Sequence, residues 1–65
     1  MSNITKLTGE ELLELIAYHH AAVMAACRGG HIGEVEHEKI RLHGAEYHRL
    51  AIVAEARGIY RRPSA

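Results

Sequence analysis

Sixty-five residues make one small domain, and its eight basic and eight acidic side chains cancel. That balance lacks the basic excess of a nucleic-acid footprint, and no apolar run reaches the roughly 20 residues needed to span a bilayer. The single cysteine excludes an intramolecular disulfide, while a core of this size supplies only about 3–5 kcal/mol by itself. Self-association, a partner or a metal is therefore expected to complete the fold.

The composition favours helix. Ala, Leu, Glu and Arg dominate, Phe and Trp are absent, and the only proline, Pro63, interrupts nothing. The preference for Arg over Lys, with abundant Ala, points to a GC-rich bacterial or phage genome. The first residues show no signal-peptide pattern, so a cytoplasmic location is expected.

In chain order, residues 1–7 read as an unstructured or extended lead. A first helix is predicted over residues 9–28. Thr8 and Glu11 have the spacing of a capping box at its start, and Gly29-Gly30 supply its stop. A second helix is predicted over 33–57, with Glu34 and Glu36 in its first turn and Gly58 ending it. Residues 58–65 form a short tail. Gly44 lies inside the second helix, where glycine costs about 1 kcal/mol relative to alanine. It marks a kink, a close approach or, in a second reading, a break that makes three short helices. Nothing alternates with period two, so no strand is expected.

Projection at about 100° per residue places Leu12, Ile16, Val23 and Cys27 at the centre of one face of the first helix. His19 and His20 fall on the flanks of that stripe. The second helix is less clean. Ile32, Val35, Leu42, Leu50 and Val53 define its best apolar face, but Lys39, His43, Glu46 and Arg57 share the arc, and other apolar residues spread around it. Such spread suggests burial on more than one side, as in a bundle. A short turn makes the helices antiparallel and sets His19 and His20 near Ile40 and Arg41, and Ala17 near His43.

The chemistry-bearing candidates are His19, His20, His43 and Glu46. His43-x-x-Glu46 puts an imidazole and a carboxylate one turn apart, and His19 or His20 could face them across the hairpin. Metal sites in helical bundles are built from such inward His and Glu pairs, and this donor set suits Zn²⁺, Fe or Mn. The competing reading has these histidines partly exposed, with Glu46 paired to Lys39 or Arg49. Glu34-x-x-His37 also has a ligand-pair spacing, but it projects from the apolar stripe and reads as a solvated face. Cys27 reads as a small buried hydrophobe, and Arg61-Arg62 as a solvated basic tail. No nucleophile–base constellation and no phosphate loop appears, which argues against an enzyme.

The expected architecture is thus an all-α antiparallel hairpin that pairs with itself, a dimer being favoured, into a four-helix bundle. Its size and form are similar to small plasmid, phage and toxin-system regulators, an analogy of fold that does not fix function. The expected function is that of a non-enzymatic interaction or regulatory module with no cofactor. Its interface would comprise Leu12, Ile16, Val23, Val35, Leu42, Leu50 and Val53, facing a second copy or another protein. The alternative is a metal-binding bundle using His19, His20, His43 and Glu46. A third reading, motivated by six histidines, is a pH-responsive assembly.

Overall fold

Thr8 opens the first helix as the spacing predicts. In the computed structural model, which describes residues 4–63, its hydroxyl accepts the Glu11 amide at 3.1 Å, and the Glu11 carboxylate accepts the Thr8 amide at 2.9 Å. Two otherwise orphaned amides are satisfied reciprocally. Helix α1 runs Gly9–Cys27 and helix α2 runs Glu34–Ala56. The expected end residues Arg28, Gly33 and Arg57 are caps instead of helical residues. At Gly33 the backbone amide donates to the Glu36 carboxylate at 3.0 Å, so Glu36 closes the helix start and is not merely a solvated charge.

Both glycine stops do what their position requires. Gly30 in the turn and Gly58 after α2 have φ of 74° and 75°, a region L side chains rarely adopt. Beyond α2, the Gly58 amide donates to the Glu55 carbonyl and the Ile59 amide to the Ala54 carbonyl. This pair of bonds is a Schellman ending, and it turns the chain back on the hairpin.

The two helices pack against each other as an all-α hairpin. Its core is small: Leu12 and Ile16 from α1, and Leu50, Ala51 and Ala54 from α2. Ile4, Leu7, Tyr47, Val53 and Tyr60 pack partly buried around it. No helix among the described residues is long and apolar enough to cross a membrane. The molecule spans 36 × 30 × 14 Å. Its least dimension is little more than the roughly 10–12 Å diameter of one helix with side chains, so the hairpin is a single layer.

The expectation of an unstructured lead fails where it can be judged. Residues 1–3 lie outside the described residues, but Ile4–Lys6 forms a 3₁₀ turn. The Arg57 guanidinium fixes it by donating to the Leu7 carbonyl at 2.6 Å and the Thr5 carbonyl at 2.8 Å. The solvated-tail reading fails likewise. Arg62 reaches back to Glu55 at 2.7 Å and to His48 at 2.9 Å, while Ile59 lies over Gly9, where an added Cβ would meet its Cδ1 at 3.3 Å. Residues 64–65 lie outside the described residues.

Gly44 neither breaks nor crowds α2, which is continuous through it, and an added Cβ there meets nothing within 4 Å. The three-helix reading is therefore overturned. Gly44→Ala is expected to stabilise the hairpin by up to about 1 kcal/mol through helix propensity alone. Urea unfolding followed by circular dichroism checks this, and a loss of stability would show that something packs on that spot.

Candidate functional site

Antiparallel packing brings two of the four expected ligand residues together. His19 of α1 and His43 of α2 meet at mid-hairpin, with their Nδ1 atoms 2.9 Å apart and their ring centroids 5.1 Å apart. The expected register is therefore slightly off, since His43 faces His19 and not Ala17. One Nδ1 donates and the other accepts, so the two neutral rings hold opposite tautomers. Tyr18 stands edge-on to both imidazoles, at 5.0 Å from His19 and 5.9 Å from His43.

Burial is the main cause holding His19 below the ordinary imidazole value. The neighbouring His43 adds to it, and Glu46 pulls the other way. The result favours the neutral ring, which is the form that ligates a metal. His43 also lines a groove of about 470 Å³ between the helices, walled by Ala22, Ala25 and Ala26 on α1 and by Glu36 and Lys39 on α2. The alanines make this groove, because their methyl groups leave the space a longer side chain would fill.

The other two expected ligands go elsewhere. His20 lies on the opposite flank of α1, its ring 5.5 Å from that of Tyr47. Glu46 pairs with Arg49 at 2.9 Å, as the competing reading had it, though it stays near enough to act on His19 electrostatically. Among the described residues, no three His, Cys or Glu side chains converge on one point. Cys27 is exposed, against the expectation of a buried small hydrophobe. It is the last residue of α1, where the stripe runs past the end of the core.

The expected interface residues divide. Leu12, Ile16 and Leu50 are used up in the hairpin's own core and offer nothing to a partner. Val53 packs half-buried beside them, and Val23 is also half-buried. Val35 and Leu42 stay 62% and 52% exposed. Sequence reasoning also missed apolar exposure on α1. Leu15 and Tyr18 are exposed as well, and the helical projection sets them on the same flank of the hairpin as Val35 and Leu42. The uncovered apolar surface is thus shared by both helices.

A second polar cluster was not foreseen. Tyr47 and Tyr60 share a hydroxyl–hydroxyl hydrogen bond of 2.6 Å, which pins the tail to α2. That bond, with burial, pushes the Tyr60 phenol up to about 12. Its stabilising effect is complete below the ordinary tyrosine value and is lost as pH rises through about 12. An absorbance titration should therefore show one late-ionising tyrosine, and Tyr60→Phe should remove that late phase. Beside it, the Arg62 guanidinium holds the Glu55 carboxyl below the usual carboxylate range, so this tie is lost only as pH falls below that range.

Comparison with protein-family models, curated proteins and solved structures returns no match.

Proposed function

We propose that the chain is a non-enzymatic interaction module, regulatory in role, that acts through its helix faces and pairs with a second copy of itself into a four-helix bundle. The observation that carries this reading is the single-layer build. Domains ordinarily bury apolar faces between two packed layers, but this hairpin is 14 Å thick and leaves Leu15, Tyr18, Val35 and Leu42 uncovered on one flank.

The occupant that fits is another copy. Pairing two hairpins supplies the missing layer with an identical apolar flank, and a two-fold interface is self-complementary by construction. The charges beside the flank suit this as well. Glu46 with Arg49, and Glu38 with Arg41, present both signs together. A strongly charged partner would find no matching field.

Sedimentation equilibrium over a dilution series is the test. A two-chain species that dissociates on dilution is expected. A stable, cooperatively folding monomer at micromolar concentration would overturn the reading.

A further inference from the structure

We propose that the His19–His43 pair is one half of a transition-metal site, which the same pair of a second copy completes across a two-fold axis with four imidazole nitrogens around one ion of the Zn²⁺ class. The inference rests on the self-association above and adds to it what sits at the centre of the interface.

The first support is the pair's geometry. Two Nδ1 atoms from different helices already point at each other, 2.9 Å apart. Metal–imidazole bonds of about 2.0–2.1 Å at a tetrahedral angle require nitrogens roughly 3.4 Å apart. The pair needs to open by only about half an ångström, which small ring rotations supply. Binding changes one tautomer, moving its proton from Nδ1 to Nε2, and releases no net proton. Imidazole nitrogen suits Zn²⁺, Cu²⁺ and Ni²⁺ better than Mg²⁺ or Ca²⁺.

The second support is position. Helix α1 is centred on Tyr18 and α2 on Ala45, so the pair lies at the middle of the hairpin's length. Mid-length residues meet their own equivalents whether the two-fold axis runs along or across the helices. Tyr18, on the exposed flank, touches both rings, and the alanine-walled groove reaches His43. A copy docked on this flank therefore brings a second imidazole pair toward the first. A single chain offers only two converging nitrogens, since among the described residues no third His, Cys or Glu joins them. The site is incomplete without its partner.

The experiment is titration of untagged, chelator-treated protein with ZnCl₂, followed by calorimetry and native mass spectrometry, with CoCl₂ as a spectroscopic probe on the unmutated protein. One ion per two chains and the intense visible bands of tetrahedral Co²⁺ are expected. His43→Gln, which keeps hydrogen-bonding capacity, should weaken binding by more than about 100-fold, beyond the range seen for lost outer-shell partners. A variant with His20, His31, His37 and His48 all changed to Gln should bind as before. A two-chain species that takes up no ion overturns the metal site and leaves self-association standing. A monomer at every metal concentration overturns both. Binding that survives in His43→Gln but is lost in the four-histidine variant assigns the ion to the surface and also overturns the proposal.

Discussion

Leu12→Ala is expected to unfold the hairpin at ordinary temperature. Leu12 is fully buried and is the largest side chain wholly withdrawn from solvent. Truncating such a leucine costs about 2–5 kcal/mol, the transfer term adding to the cavity left behind. A core of this size supplies a total of about 3–5 kcal/mol, so one substitution removes most of it. The neighbours cannot close the gap cheaply. Two of the four other core residues are Ala51 and Ala54, which have no reach to spare. Thermal melts by far-ultraviolet circular dichroism should show the transition lost or shifted below room temperature. A melt moved by only a few degrees would mean that the hairpin's stability lies in contacts outside this core.

Leu42→Glu should do the converse, leaving the hairpin's own packing intact and abolishing its pairing. Leu42 is 52% exposed and belongs to neither the buried cluster nor the residues packed on it. On a free surface the change costs at most about 0.5 kcal/mol, and glutamate is a good helix former. At the centre of a two-fold interface it places two carboxylates in an apolar seam, where unpaired charge is strongly disfavoured. Sedimentation should give a monomer at concentrations where the parent chain pairs, with helical content reduced only by what the dimer had contributed. An undisturbed dimer would place the interface on the other flank, where Leu13, Met24 and Gly44 project.

Local chemistry explains what the sequence revealed. The Thr8–Glu11 box, the Gly30 turn and the Gly58 ending are each decided by a few adjacent residues, so the helix limits were legible to within one residue. The core was legible in part: Leu12 and Ile16 lie within the central stripe of α1, whereas Leu50 lies at the edge of the projected α2 stripe, whose members Val35 and Leu42 stay exposed. A histidine of α1 facing His43 was legible as a choice between His19 and His20, but the expected register set Ala17 level with His43, and His20 could not be set aside. It lies on the equally plausible opposite flank, and only the placement of Tyr47 shows where it goes. The docked lead and tail were illegible for a different reason. Arg57 on the Thr5 and Leu7 carbonyls, and Tyr60 on Tyr47, are contacts between distant residues that carry no local pattern. Cys27 misled because a helical projection takes no account of where along the helix the core lies, and the buried residues cluster at the end away from the turn.

The Arg57 clamp has a kinetic consequence. It joins positions 50 and 52 residues apart in sequence, against 24 for the histidine pair. Loop-closure entropy grows with the span to be closed, and contacts of long sequence separation are the slow ones to form. Closing the clamp is therefore expected to come later in folding than the meeting of the two helices nearer the Gly29–Gly33 turn. In the native state the buried residues Leu12, Ile16, Leu50 and Ala54 lie toward this same end, so the clamp closes over the core and not over a loosely packed terminus. Arg57, the residue that caps the end of α2, thus ties the lead to the helix that closes the hairpin, and a single side chain couples the entry of the chain into the fold to its exit.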